Sequence, residues 1–276
     1  MGIEEIIDSI GIETYYQEKE GVLYCADCID ILPQIPKESI DLIFADPPFN
    51  IGKKYENYKD NRKDYFVWCD SWINQCFRIL TSTGAFYYMN LEGNLQQLLT
   101  IMSRYGIFQN VVIWKNPSAC HDNKSYWHMY QPIMVFTKTK EFIFNTYAET
   151  RKTEYWGKRR SKGQLGNIWD DVPYVYSGSI HHKEAIIDRK TNKKIHPTQM
   201  PLDLARRAII FHSNPHCIVL DPFLGSGTTA VASKKLGRQW IGIDIAKKYC
   251  DLSIRRLKKY KFGCSLKETR MEQRKL

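Results

Sequence analysis

The chain has 276 residues, 43% of them hydrophobic, which is ordinary for a soluble globular protein with one sizeable core and makes two full domains the less favoured reading. No apolar run is long enough to span a bilayer, and Met1-Gly2-Ile3-Glu4-Glu5 lacks the basic start and apolar stretch of a secretion signal, so a cytosolic protein is expected. The formal net charge of +10 points to a polyanionic partner, because Lys and Arg side chains that meet phosphates gain affinity by releasing condensed counterions; a membrane surface is the competing polyanion.

Gly21 to Tyr24 reads as the first strand and runs into Cys25-Ala26-Asp27-Cys28. Cys25 and Cys28 form a lone CxxC, whereas a structural zinc site takes four ligands, so both read as small core thiols and no metal is expected. The other cysteines, Cys69, Cys76, Cys120, Cys217, Cys250 and Cys264, are scattered and suggest no disulfide framework.

Ile40 to Ala45 is the second strand, and Asp46-Pro47-Pro48-Phe49 stands at its end. Successive prolines fix φ at about −65° and bring no backbone N–H, so the carbonyls of Asp46 and Pro47 form a stiff acceptor array. A planar exocyclic amine has two N–H donors, which the Asp46 carboxylate and the Pro47 carbonyl can receive while Phe49 stacks on the attached ring. That is the chemistry of a nucleobase amino group. Asn50 either hydrogen-bonds the base edge or caps the turn.

Phe66, Cys69, Ile73, Cys76, Phe77 and Leu80 mark one face of a helix. Ala85 to Met89 and Asn110 to Trp114 read as strands around a helical Leu91 to Tyr105, and Pro132 to Thr137 as another. Such alternation predicts a parallel sheet. Between Thr139 and Ile195 the periodicity fades, and Tyr155-Trp156-Gly157-Lys158-Arg159-Arg160-Ser161-Lys162 interleaves aromatics with cations. This pattern suits DNA contact through Lys158, Arg159, Arg160 and Lys162, or else a solvated loop anchored by its aromatics. His181 and His182 have no carboxylate or thiol partners at ligand spacing and read as a surface pair.

Leu202 to Phe211 reads as a helix and Cys217 to Leu220 as a strand, followed by the turn Asp221-Pro222-Phe223-Leu224-Gly225-Ser226-Gly227-Thr228-Thr229 and a helix to Leu236. Gly225 and Gly227 let the backbone approach a ligand, and the next strand, from Trp240, ends at Asp244, an acid about 20 residues on, where ribose hydroxyls are usually held. The last helix runs from Ala246 to about Lys259. Its basic end, Arg255-Arg256-Leu257-Lys258-Lys259-Tyr260-Lys261, either complements the helix dipole or touches nucleic acid, and the tail after Gly263 is expected to fray. The sum is a doubly wound α/β sheet with Asp27, Asp46, Asp221 and Asp244 at carboxyl ends of strands, where such sheets bind ligands. A dinucleotide oxidoreductase shares the sheet and the glycine loop. Against it stand the missing G-x-G-x-x-G spacing and a Pro-Pro turn with no role in hydride transfer.

With these motifs the chain resembles the amino-methyltransferases of DNA over nearly its whole length. The resemblance implies a Rossmann-like methyltransferase sheet that moves a methyl group from S-adenosylmethionine to an exocyclic base nitrogen in double-stranded DNA. Asp46-Pro47-Pro48-Phe49 is similar to the family's catalytic motif, with Asp46 also bordering the cofactor. The loop carrying Asp221, Pro222, Phe223, Gly225, Ser226, Gly227 and Thr228 is similar to its cofactor motif. Asp27-Cys28 resembles the acid that approaches the cofactor's adenine. His196-Pro197-Thr198-Gln199-Met200-Pro201 is similar to the segment that closes over the cofactor, through His196, Thr198 and Gln199, although Met200 stands where lysine is common. Asn167-Ile168-Trp169-Asp170 resembles another family segment, with packing as its expected role.

The catalytic motif precedes the cofactor loop, which is the family's beta-type order. It implies a catalytic half over 1–138, a target-recognition region over 139–195, a cofactor-binding half over 196–262 and a basic tail over 263–276. Relatives with an acid at the first motif position mostly modify adenine, so adenine is expected; the cytosine amine is the nearest alternative, and a nucleic-acid-binding relative without catalysis another. The resemblance further suggests a homodimer and leaves open whether a cognate restriction endonuclease is a partner; a cytoplasmic, nucleoid-associated protein is expected.

Overall fold

A computed structural model describes residues 2–116, 126, 128–146, 148–155, 158–175, 184–187 and 195–264. Cys120, Trp156, Gly157, His181, His182 and the tail from 265 lie outside the described residues, as do the side chains of 150–155 and 158–164, which include Lys158, Arg159, Arg160 and Lys162.

The chain begins with helix α1 (Ile3–Ser9), an antiparallel pair β1 (Tyr16–Glu18) and β2 (Gly21–Tyr24), and the short helix α2 (Cys28–Ile31). Strand β3 (Ile40–Ala45) leads through a small hairpin, β4 (Lys54–Tyr55) and β5 (Tyr58–Lys59), to helix α3 (Tyr65–Ile79). Next come β6 (Leu80–Met89), α4 (Leu95–Met102), β7 (Ile107–Lys115) and β8 (Tyr130–Thr137). A second hairpin, β9 (Thr150–Tyr155) and β10 (Lys158–Gln164), and the short β11 (Ile168–Trp169) precede α5 (Leu202–His212). The chain closes with β12 (Ile218–Asp221), α6 (Thr228–Lys235), β13 (Gln239–Ile243) and α7 (Lys247–Leu257).

Among the described residues nine strands form one sheet in the order β1-β2-β13-β12-β3-β6-β8-β7-β11. The inner strands are apolar on both sides because both faces are covered, which is why they read as continuous apolar runs. In β3, Ile43 and Ala45 join the core beneath α1 and α3, while Leu42 and Phe44 join the opposite core with Leu204, Ala208 and Phe211 of α5. Helix α3 supplies its face through Trp68, Cys69, Trp72, Ile73, Cys76 and Phe77, spaced three and four apart as a buried stripe requires. The sheet is therefore doubly wound.

Two features differ from expectation. Strand β8 is antiparallel to both β6 and β7, so the sheet is mixed. The crossover through α4 leaves β7 one place away from β6, and β8 fills the gap running the opposite way; periodicity reports burial and carries no strand direction. The second difference is at β11, which lies inside 139–195 yet pairs with β7 in parallel at the edge of the main sheet. The β9–β10 hairpin, by contrast, forms a separate two-stranded sheet.

Candidate active site

Strands β2, β13, β12 and β3 are consecutive and parallel, so their carboxyl ends lie side by side. Asp27, Asp244, Asp221 and Asp46 therefore form a row along one rim of the sheet. All four line a single open cleft. Also in its lining are Cys28, Pro48, His196, Thr198, Pro222, Phe223, Gly225, Ser226 and Thr228, so sequence segments more than a hundred residues apart meet there.

The glycine loop is held from several sides. Gly225 and Gly227 adopt φ of +53° and +82°, which favour glycine, and a Cβ on Gly225 would stand 2.9 Å from His196 Nε2. Asp244 Oδ2 accepts the Gly225 N–H at 2.7 Å, and its Oδ1 accepts the Ala246 N–H at 2.8 Å, joining the loop to the start of α7. Each oxygen keeps a further lone pair for a ligand hydroxyl. Arg256 donates through Nη1 to Ser226 O at 2.6 Å and lies within bonding distance of Thr228 Oγ1 at 3.0 Å. That arginine belongs to the basic cluster, and its role at the loop was not legible in the sequence.

Burial raises the carboxyl pKa of Asp221 to about 7, opposed by the Phe223 N–H that it accepts, and raises that of Asp244 to about 6. Asp46 is pushed well above the usual carboxylate range by burial and then by the charge of Asp221, with Lys53 acting the other way. The cleft thus concentrates carboxylates whose charge is poorly compensated by the protein itself. Such a donor-poor, acceptor-rich site favours a ligand that brings hydroxyls, amines or positive charge. Its remaining walls are broad and apolar. Trp68 meets Phe223 edge-on at 5.6 Å between ring centroids, and Tyr55, Tyr58, Ile245 and Tyr249 also face the cleft. Trp68, Tyr249, Tyr55 and Tyr58 went unnoticed in the sequence because aromatics on α3, α7 and the β4–β5 hairpin have the spacing of ordinary core positions. Met200, where a cation was in question, also lines the cleft and is 7% exposed.

The Pro-Pro turn is braced through its later carbonyls. Tyr65 donates its hydroxyl to Pro48 O at 2.9 Å, and Asn94 Nδ2 donates to Phe49 O at 3.0 Å. Asn90, fully buried, donates to the hydroxyls of Tyr65 and Tyr88 and accepts from Asn94, tying α3, β6 and the turn together. Among the described residues no hydrogen bond is made to the carbonyl of Pro47, a buried residue. Asn50 resolves as a turn cap: its side chain accepts the Arg62 N–H and donates to the Arg62 carbonyl.

Four expected site residues do not line the cleft: Pro47, Phe49, Gln199 and Gly227. Phe49 is 9% exposed. Gln199 spends its amide on the backbone of Glu184 and Ile186, and Gly227 forms the left-handed start of α6. Among the described residues no group of His, Cys, Asp and Glu could hold a metal ion. None of their helices is long and apolar enough to cross a membrane.

Comparison with known proteins gives this geometry a family. Over 271 residues the chain is 33% identical to the DNA adenine methyltransferase YhdJ of Escherichia coli (strain K12), covering 88% of this chain and 85% of the relative. Over 242 residues it is 32% identical to the type II methyltransferase M.BglII of Bacillus subtilis, covering 84% and 67%. In fold it is similar to the cytosine-N4-specific PvuII DNA methyltransferase, with a TM-score of 0.71 at 20% identity over 95% of this chain and 94% of that one. It is also similar to M1.HpyAVI in complex with SAM, with a TM-score of 0.60 at 23% identity over 85% and 98%. A DNA methylase family model for N6 and N4 methyltransferases matches residues 40–255, from the strand before the Pro-Pro turn to the helix after Asp244, and the chain belongs to that family.

Proposed function

We propose that the chain transfers a methyl group from S-adenosylmethionine to the exocyclic amine of adenine in double-stranded DNA. One observation carries this reading: the acid-ended Pro-Pro turn after β3 and the glycine loop after β12 open into the same cleft, with Asp46 close enough to Asp221 to feel its charge. The donor set fits the cofactor. Asp244 and Asp27 retain acceptor capacity for ribose hydroxyls and an adenine edge, and Trp68, Phe223 and Ile245 offer apolar surface to a purine ring.

When bound, S-adenosylmethionine supplies a methyl carbon made electrophilic by a positively charged sulfur. The chain's own task is to prepare the amine, whose lone pair is delocalised into the base ring. Asp46 and the Pro47 carbonyl accept its two hydrogens, which lets the nitrogen become tetrahedral and direct its lone pair outward. Tyr65 and Asn94 keep the turn from reorganising as this happens. Holding the reactants in line contributes on the order of 7 kcal/mol in the best-oriented cases. The base must leave the duplex stack first, at a cost of roughly a few kcal/mol that the pocket recovers.

Adenine is favoured by the acid at the first motif position and by the name of the YhdJ relative. The cytosine amine stands as the second reading because the PvuII neighbour is cytosine-N4-specific and both bases offer an amine beside a ring nitrogen. The type II names among the relatives support a restriction-modification setting with a cognate endonuclease. The test is to incubate the purified protein with S-adenosylmethionine and unmethylated genomic DNA, digest to nucleosides and identify the product by mass spectrometry. N6-methyladenine is the expected product; N4-methylcytosine would transfer the assignment to the second reading, and neither would refute both.

A further inference from the structure

The β9–β10 hairpin belongs to no other sheet, so its direction relative to the cleft is set at its stem. The stem is built around one side chain. Arg207 of α5 is 3% exposed and donates through Nε and Nη2 to Glu149 Oε1 at 3.0 and 2.8 Å. It also donates through Nη1 and Nη2 to Asp171 Oδ1 and Oδ2 at 2.8 and 2.6 Å. Glu149 is the residue before β9, and its carbonyl accepts the N–H of Leu165, the residue after β10, at 3.3 Å. Asp171 follows β11, whose Trp169 lies under the Arg207 guanidinium at 5.3 Å. One arginine therefore grips the chain as it enters the hairpin and again after it leaves. Arg206 adds a second cation on Glu149 Oε2 at 2.6 Å.

The same helix is continuous with the cofactor side. α5 begins just after the segment containing His196 and Thr198, and its first N–H, at Leu202, is accepted by Glu184. A planar guanidinium that meets Asp171 through both carboxylate oxygens and Glu149 Oε1 through two of its nitrogens fixes angle as well as distance, which a single lysine contact would not do.

We infer that Arg207 is a positioning residue for DNA: through Glu149 and Asp171 it fixes the direction in which the β9–β10 hairpin projects from the catalytic domain toward the duplex. This rests on the reading of the hairpin as a DNA-contacting element. A hairpin backbone held at a fixed angle engages a duplex without the ordering cost that a loose one incurs on binding. The clamp acts on DNA engagement and leaves the cofactor cleft untouched, since none of the three residues lines it.

The experiment uses the full chain with unmethylated genomic DNA and S-adenosylmethionine, comparing wild type, Glu149→Gln, Asp171→Asn and the triple variant Lys158→Ala, Arg159→Ala, Arg160→Ala. Glu149→Gln and Asp171→Asn keep side-chain shape, which guards against the misfolding that loss of the buried Arg207 invites. Each is expected to raise KM for DNA about tenfold, with kcat at saturating DNA and the Kd of S-adenosylmethionine unchanged within about twofold. A merely structural role would move all three together. If the triple variant weakens DNA binding and the two clamp variants do not, the clamp is overturned while the hairpin keeps its role. If the triple variant engages DNA as wild type does, the hairpin reading fails and the clamp falls with it.

Discussion

Tyr65 gives its hydroxyl hydrogen to the Pro48 carbonyl at 2.9 Å and receives an N–H of Asn90 at 2.9 Å, so a helix and a buried amide jointly hold the turn that carries Asp46. Tyr65→Phe removes both bonds and leaves the ring packing in place. We expect a stability loss of about 1–2 kcal/mol in urea unfolding, the cost of an unpaired buried carbonyl and amide. Single-turnover methyl transfer should fall about tenfold, because a looser turn no longer presents its acceptors in a fixed array. Wild-type transfer by the folded variant would show that the turn is stiff without Tyr65.

Asp46→Asn tests the activating role directly. The amide keeps the volume and one acceptor oxygen but loses the charge, so methyl transfer should drop by about 10²–10⁴. Calorimetry on the same preparation should give nearly the wild-type affinity for S-adenosylmethionine, since the defect lies with the amine. Near-normal turnover in a correctly folded protein would remove Asp46 from the mechanism.

The acids of the row and the glycine loop were readable because each stands where an apolar run stops, and a run that stops at the carboxyl end of a strand marks the ligand-binding rim. The strands themselves were readable for the same reason, both faces being buried. What stayed hidden depends on partners distant in sequence. Trp68 and Tyr249 look like core positions until α3 and α7 are seen flanking the cleft, and Arg256 looks like a solvated cation until its Ser226 contact is known. Gln199 shows the converse. A motif placed it at the cofactor, whereas its amide is taken up by the backbone at Glu184 and Ile186. The reversed direction of β8 was invisible because residue periodicity is the same in both directions along a strand.

Asp60 carries a prediction of its own. It is 2% exposed, and its carboxylate accepts the N–H groups of Asn50, Ile51 and Lys53, which wraps the chain after Phe49 around one side chain. Asp60→Ala strands three donors and should cost roughly 2–4 kcal/mol. Hydrogen exchange should quicken at residues 50–53 ahead of the rest of the molecule. Because Tyr55 and Tyr58 line the cleft on the hairpin that follows, cofactor affinity should fall as well. Unchanged exchange at those amides would deny Asp60 its role as organiser of the loop.

The raised carboxyls make two linked predictions about pH. Asp221 titrates at about 7 and Asp244 at about 6 in the folded chain, both above the unfolded value of 3.8. Between those limits the folded state binds more protons than the unfolded one, so the contribution of each group to stability falls as pH rises from about 4 to its folded pKa and is flat beyond it. Asp221→Asn, which retains an acceptor for the Phe223 N–H, should therefore gain stability over wild type at pH 8, on the order of 1–4 kcal/mol, and show little gain at pH 4. Ligand binding should run the other way. The ionised acids attract the positively charged sulfur of S-adenosylmethionine, so its affinity should rise about tenfold from pH 6 to pH 8 if a single group near pH 7 must be ionised. S-adenosylhomocysteine has the same amino acid and nucleoside but a neutral sulfur, and its affinity should change less over that range. Calorimetry with both ligands at the two pH values decides the matter: equal slopes would place the titration on the shared amino group and remove the acid row from recognition of the charge.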